Sequence, residues 1–103
     1  MKRLMLYRGD TPTLNFQVYD ESGQPMNLLD WQLFFSFKIG SHHVKKECDI
    51  YDPLAGKAQV TLSSEDTKEA GYTVCELEGR KEGAVYTFGQ VLLCILEDVK
   101  DEF

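Results

Sequence analysis

Residues 31–39 read Trp31-Gln32-Leu33-Phe34-Phe35-Ser36-Phe37-Lys38-Ile39, and every second position in this stretch carries a large apolar side chain. The positions between them are polar apart from Phe34. Successive side chains of a β-strand point to opposite faces, so a spacing of two indicates a strand that buries one face. We therefore predict a strand over this stretch and place Phe34 on its outward face.

The same spacing recurs on both sides of this segment. The other side chains predicted to face inward include Leu14, Phe16, Val18, Ala58, Val60 and Leu62. About seven strands are predicted: Arg3–Arg8, Thr13–Tyr19, Trp31–Ile39, Val44–Cys48, Lys57–Leu62, Tyr72–Glu78 and Val85–Leu96. Turn residues separate them every ten residues or so, which is typical of an all-β, antiparallel β-sandwich.

The segments between the strands carry turn and loop signals. Residues 49–56 contain a proline and a glycine and predict a loop, and residues 79–83 predict a charged hairpin turn. Ser63, followed by acidic residues, is the only helix-start signal, and we expect about one helical turn there. Gly89 falls inside the last strand, where a glycine indicates a bulge or a close approach by another chain.

Length and composition fit one folded domain, which we expect to span residues 1–103. Hydrophobic residues make up 43% of the chain, enough apolar surface to offset the entropy of ordering it. The formal net charge is −6, from 11 basic and 17 acidic side chains. This balance disfavours a nucleic-acid partner and an anionic membrane surface, since both require basic surfaces.

Nothing in the sequence indicates secretion or membrane insertion. The apolar run near the N-terminus stops at Tyr7, and no stretch reaches the length of a membrane span. We therefore expect a protein that is made and kept in a cytoplasm, or assembled from one. Cys48, Cys75 and Cys94 form no CxxC pair, and their odd number favours reduced, buried thiols.

No set of residues indicates catalysis, so we expect neither an enzyme nor a cofactor. His42 and His43 are adjacent in a predicted turn, where exposed residues are the preferred interpretation because neighbours seldom reach one metal ion. The acidic residues Asp20, Asp49 and Asp52 lack the spacing of a calcium loop. We predict no metal site.

The aromatic residues divide into a core set and a surface set. The set that fits the core is Trp31, Phe35, Phe37, Phe16 and Tyr72. Exposed aromatics on a flat sheet mark partner or carbohydrate surfaces. The candidate partner-binding residues are Tyr19, Phe34, Tyr86, Phe88 and Gln90. The alternative is a carbohydrate-binding module that stacks sugars on Tyr19, Phe34, Tyr51 or Tyr86.

Short motifs along the chain resemble one known family. They are Tyr7-Arg8-Gly9-Asp10-Thr11-Pro12-Thr13, then Phe16, Asp20 and Gly23, then Asn27-Leu28 and Trp31, and later Gly56-Lys57-Ala58, Leu62 and Glu69-Ala70-Gly71-Tyr72. From about Leu6 to Leu96, the chain resembles the N-terminal domain of phage baseplate upper proteins.

The resemblance implies an immunoglobulin-like sandwich in a phage or prophage tail device, where the domain anchors a receptor-binding protein or builds the baseplate ring by multimerisation. It implies a non-catalytic virion structural protein that binds other tail or baseplate proteins and forms a homo-oligomer. The expected location is the virion, or the bacterial cytoplasm when a prophage encodes the protein. Gly71-Tyr72 is similar to the tyrosine corner of immunoglobulin-like domains, in which the hydroxyl ties down a turn.

Overall fold

The structure, a computed structural model, describes residues 2–97. In chain order the elements are β1 (Arg3–Tyr7), β2 (Thr13–Gln17), β3 (Gln32–Ile39), β4 (His42–Glu47), β5 (Asp49–Asp52), a 3-10 helix (Pro53–Ala55), β6 (Lys57–Thr61), β7 (Gly71–Lys81) and β8 (Ala84–Leu96). The prediction of an all-β sandwich with one short helical turn is confirmed, and residues 2–97 form eight strands in place of about seven.

The strands form two sheets. The large sheet has the order β1-β8-β7-β3-β4 and the small sheet the order β2-β6-β5. Every pair of neighbours is antiparallel except β1 and β8, which run parallel with Arg3 opposite Leu92 and Tyr7 opposite Leu96. The first and last strands of the chain are therefore neighbours in the large sheet.

The core lies between the two sheets and follows the predicted alternation. Leu33, Phe35 and Phe37 are buried on β3, and Ala58 and Val60 are buried on β6. The other buried apolar side chains of this core are Leu6, Val18, Leu28, Val44, Leu62, Leu77, Leu93, Ile95, Cys48 and Cys75, whereas Cys94 is buried on the outer face of the large sheet, in register with Met5 and Tyr72. Tyr72 was assigned to the core and that prediction is wrong, because its side chain is 73% exposed on the outer face of β7.

The three cysteines are free and buried, as the sequence predicts. Burial raises the pKa of the Cys48 thiol to about 11, and burial also raises the pKa of the Cys75 thiol. A thiol with a raised pKa carries little thiolate at neutral pH, so Cys48 and Cys75 act as small hydrophobic core residues.

Residues 49–56 are not the loop that the sequence predicts. Asp49 and Asp52 pair with β6 as strand β5, with a register shift between them, and the 3-10 helix follows at once. The Pro53 carbonyl accepts a hydrogen bond from the Leu28 N–H (2.8 Å), which holds this segment against the preceding loop. A short strand with acidic ends was missed because its alternation covers only four residues.

The residues that follow Ser63 form the capping hydrogen bonds that the sequence predicts, but they do not continue as a helix. The Asp66 N–H donates to Ser63 Oγ (3.1 Å), and the Ser63 N–H donates to Asp66 Oδ2 (2.7 Å). This reciprocal pair is a capping box around a single turn. The short helix lies at Pro53–Ala55 and not after Ser63, where the sequence predicts it.

Other boundaries shift by a few residues. His42 and His43 begin β4 rather than lying in a turn, and they point to opposite faces of it. The predicted hairpin turn at residues 79–83 narrows to Glu82 and Gly83, whose φ values of 52° and 82° suit a two-residue turn. In the part of the chain that the structure describes, no helix is long and apolar enough to cross a membrane.

Candidate functional site

One side of the sandwich, formed by the edge strands β4 and β5, is closed and charged. The chain passes from β4 to β5 through the buried Cys48, whose N–H donates to the Leu33 carbonyl (2.8 Å). Lys46 donates to the Asp66 carboxylate (2.8 Å) and to the Thr61 carbonyl (2.9 Å), tying the edge of the large sheet to the end of β6. We call this side the closed flank.

Asp66 is held ionised within the closed flank. Burial by itself raises the pKa of its carboxyl, but hydrogen bonds from Lys46 and Ser63 outweigh burial and hold the pKa below its ordinary value. The carboxylate therefore keeps its partner Lys46 throughout the neutral range.

The opposite side, between β2 and β8, is open. β1 pairs only with Leu92–Leu96, so within residues 2–97 the first part of β8 has a strand on one side only. We call this part, residues 84–91, the front of β8. β2 is likewise an edge strand of the small sheet. We call the side bordered by β2 and the front of β8 the open flank.

A groove of about 550 Å³ runs along the open flank between the two sheets. The buried side chains of Phe35, Cys75 and Leu77 line its floor, so the groove extends down to the core of the sandwich. Its apolar walls include Leu4, Leu14, Phe16, Phe88 and Val91. The groove is thus a place where the sandwich lacks a covering strand.

An aromatic cluster ends the groove on the hairpin side. The pairing of β7 with β8 skips Phe88, which makes this residue the extra member of a bulge next to Gly89. The Phe88 ring packs over Gly79, where an added Cβ would lie 2.1 Å from the ring. Trp31 contacts both Phe88 and Tyr86, with ring centroids 5.2 and 5.4 Å away. The bulge predicted from Gly89 is confirmed.

An acidic turn lies beside this cluster. Asp20 Oδ1 accepts hydrogen bonds from the Ser22 hydroxyl (2.7 Å) and from the backbone N–H groups of Ser22 (2.9 Å) and Gln24 (3.0 Å). The hydrogen bond from the Ser22 side chain is the largest cause of a lowered pKa for the Asp20 carboxyl. Asp20, Glu21 and the aromatic rings of Tyr19 and Tyr86 line one shallow hollow.

The outer face of the large sheet carries an apolar patch. Its exposed members include Tyr72 (73%), Met5 (59%), Tyr7 (50%) and Val74 (42%). The strand registers align Met5 and Tyr72 with Cys94, and Val74 with Leu92. We call the set Met5, Tyr7, Tyr72, Val74, Leu92 and Leu96 the apolar patch. Contiguous exposed apolar side chains of this kind mark interaction surfaces.

The other half of the outer face is charged and covers Phe34. The Arg80 guanidinium lies 4.7 Å and the Lys45 ammonium 5.4 Å from the centre of the Phe34 ring. Burial alone raises the pKa of the neighbouring Glu78 carboxyl, but hydrogen bonds from Lys45 and Arg80 outweigh it and lower the pKa. Phe34 therefore lies under a network of ion pairs.

The five candidate residues do not form one site. Tyr86, Phe88 and Gln90 belong to the front of β8, and Tyr19 shares the shallow hollow with Tyr86 and Phe88. Phe34 lies apart, in the charged half of the outer face. The apolar patch was missed, although the alternation that turns Leu4 and Leu6 inward places Met5 and Tyr7 outward.

The tyrosine-corner interpretation is also wrong. The Tyr72 side chain is exposed, and among residues 2–97 its hydroxyl makes no hydrogen bond. The described residues also bring together no group of three His, Cys, Asp or Glu side chains that could hold a metal ion. His42 Nε2 instead lies 3.2 Å from the Asp66 carbonyl oxygen.

Comparisons with known proteins agree on one family and one fold. The family profile described as "BppU N-terminal domain" matches residues 3–99. Among solved structures, the N-terminal domain of phage TP901-1 ORF48 is similar, with a TM-score of 0.61 and 17% sequence identity over 96% of this chain and 85% of that one. At this identity the likeness shows the fold alone. No curated protein matches the chain.

Proposed function

Because the chain belongs to the family of BppU N-terminal domains, the N-terminal domains of phage baseplate upper proteins, we infer that it is a non-catalytic tail or baseplate component that binds other virion proteins. Membership of the family confirms the resemblance of the sequence motifs and supports a structural role in the phage baseplate. We further propose that residues 1–103 act as one domain, located in the tail of the virion or in the bacterial cytoplasm when a prophage encodes it.

The apolar patch is the observation that carries this proposal. Six apolar side chains on three neighbouring strands face away from the core, and Tyr72 is the most exposed of them. Covering them with another protein would remove apolar surface from water, which favours association by about 25 cal/mol per Å². Around the patch, Arg3 and the Arg8–Glu97 ion pair (3.4 Å) supply polar groups, as the rim of a protein interface does.

The front of β8 supports a second contact on the same domain. It presents Tyr86, Phe88 and Gln90, three of the five candidate residues, with Tyr19 nearby. Aromatic side chains of this kind often carry much of the binding energy of an interface. We propose Tyr19, Tyr86, Phe88 and Gln90 as partner contacts, and Phe34 as a contact that requires the Lys45 and Arg80 side chains to move aside.

A homo-oligomer is part of the proposal, because baseplates are built from repeated subunits and the two contact surfaces lie on different parts of the domain. Carbohydrate binding is the weaker alternative. The Trp31 ring is tilted by 57° to the Tyr86 ring and by 58° to the Phe88 ring, so these side chains form a packed cluster and not the flat platform on which a sugar ring stacks.

Co-assembly of the domain with the remaining tail and baseplate proteins of the same phage tests the proposal. Tyr72→Lys places a charge at the centre of the apolar patch and should abolish co-assembly while the domain keeps its circular dichroism spectrum. The control, Gln32→Lys, adds the same charge at an exposed position on β3 and should co-assemble normally. Failure of the wild-type domain to join any tail complex, or normal co-assembly of Tyr72→Lys, would contradict it.

A further inference from the structure

The two strand edges along the groove lack the charges that protect the other edges of the sandwich. β4 and β5 carry lysines and acidic residues along their length, whereas β2 and the front of β8 contain no charged residue at all. Charged side chains on edge strands prevent unwanted pairing with another chain. Within residues 2–97 neither border has a strand paired to its groove side, so both can accept a further strand.

The groove also contains an unfilled position above its apolar floor. Gly89 lies on β8 opposite Leu77, and a Cβ added to it would meet no atom within 4 Å. Its φ is not positive, so the backbone does not require glycine here. A side chain from another molecule could occupy this space and contact Leu77, Phe16 and Val91, which line the groove.

Charges of opposite sign mark the two ends of the groove. Lys2 and Arg3 line the end next to Leu92. Asp20 and Glu21 line the hollow that adjoins the other end at Tyr19 and Phe88. Glu76, which also borders the groove, accepts a hydrogen bond from Gln90 (2.8 Å). A bound segment would therefore be complementary if it carried an acidic residue near Lys2 and a basic residue near Asp20.

We propose that the groove of the open flank binds an extended segment of a partner protein as an added β-strand. The segment pairs antiparallel with the front of β8, because antiparallel pairing is slightly more stable than parallel pairing. One of its apolar side chains fills the space at Gly89, its amino end carries an acidic residue and its carboxyl end a basic one. This inference rests on the proposed function and names the chemistry of one partner contact.

A fluorescent peptide of about eight residues matches the ~26 Å length of the front of β8 and serves as the probe. It alternates leucine or valine with threonine, with one glutamate at the amino end and one arginine at the carboxyl end. We expect saturable binding by fluorescence anisotropy and slower hydrogen exchange of the backbone amides of residues 84–91. The control peptide, with glutamate and arginine exchanged, should bind about tenfold more weakly, a difference of about 1.4 kcal/mol.

Gly89→Leu is the matching variant of the protein. It fills the empty position with a side chain of the domain itself and should weaken peptide binding at least about tenfold, with no loss of thermal stability. Ser36→Leu, which adds a leucine to the outer face of β3, should bind the peptide like the wild type. Absence of binding up to millimolar peptide, or equal binding by Gly89→Leu, would overturn the inference.

Two further outcomes separate this inference from the proposed function. If Tyr72→Lys abolishes co-assembly with the tail proteins but Gly89→Leu has no effect, the groove does not bind the partner while the proposed function stands. If light scattering shows a homodimer that Gly89→Leu abolishes, the occupant is a second copy of this chain and the inference is wrong.

Discussion

The closed and open flanks of this sandwich are both made of edge strands, yet they differ in every feature that determines whether another chain can approach. On the closed flank the backbone crosses between the sheets at Cys48, and Lys46 joins β4 to Asp66 and Thr61. On the open flank β2 and the front of β8 are uncharged, and a groove reaches the core between them. The difference shows that edge protection is a local property, supplied by individual side chains and crossings.

The largest expected difference between the flanks is in packing. Phe37 is buried on β3 opposite Val44, next to the closed flank, and Phe37→Ala should lower the free energy of unfolding by about 3–5 kcal/mol. Phe16 is half-buried in the groove wall, with its ring centroid 5.7 Å from that of Phe35. Phe16→Ala should therefore lower the free energy of unfolding by only about 1–2 kcal/mol. Urea denaturation measures both, and equal losses would show that the open flank is packed as tightly as the closed one.

Two glycines next to the bulge, Gly79 and Gly89, compare a filled and an open position within the open flank. Gly79→Ala places a Cβ 2.1 Å from the Phe88 ring, so the ring must leave Trp31, at an expected cost of about 1–3 kcal/mol. Gly89→Ala meets open space and should be neutral or stabilising by about 0.5–1 kcal/mol. Thermal denaturation and Trp31 fluorescence report both effects. A stable Gly79→Ala variant with unchanged fluorescence would contradict the packing of Phe88 over Gly79.

Lys46→Met tests how the closed flank is held together. Loss of its bonds to Asp66 and Thr61 should cost about 1 kcal/mol at neutral pH. The folded-state pKa of Asp66 is lowered, so its stabilising contribution is present above the unfolded pKa and is lost as the pH falls. The difference between the variant and the wild type should therefore shrink below about pH 4. A pH series of urea titrations measures it, and a constant difference down to pH 2 would exclude the Asp66 pair as its source.

The smallest effect concerns the rate at which the buried thiols react. Cys75 lines the groove, whereas Cys48 lies at the crossing on the closed flank. Local opening exposes weakly packed regions before global unfolding does, so a thiol reagent should modify Cys75 several-fold faster than Cys48 in the native protein. Mass spectrometry of partly labelled protein shows the order. If Cys48 is labelled before Cys75, the closed flank opens first and the prediction is wrong.

The alternation of apolar residues predicted most of the fold, because burial between two sheets imposes a spacing of two. It identified the inward faces of β3 and β6, while the glycine inside the last strand indicated the bulge beside Gly89. It failed at Tyr72, because aromatic character was taken as a sign of burial although Cys75, three residues later, faces the core. Four-residue β5 was missed because so short a strand shows no period.

The surfaces were harder to predict than the core. The outward direction of Phe34 followed from alternation, but its cover comes from Lys45 and Arg80 on neighbouring strands, whose pairing the sequence does not display. The groove depends on a difference in length, since the five residues of β1 pair with only part of the thirteen-residue β8. Such long-range pairing appears only once the strands are assembled.

The parallel pairing of β1 with β8 affects how the chain folds during translation. Arg3 precedes its partner Leu92 by 89 residues (92 minus 3), so Arg3 leaves the ribosome much earlier than Leu92. β1 therefore has no neighbouring strand until β8 has been synthesised, and contacts of such long sequence separation form slowly. Completion of the large sheet thus depends on the synthesis of β8, and a truncated product that lacks β8 would expose both β1 and β7 to aggregation.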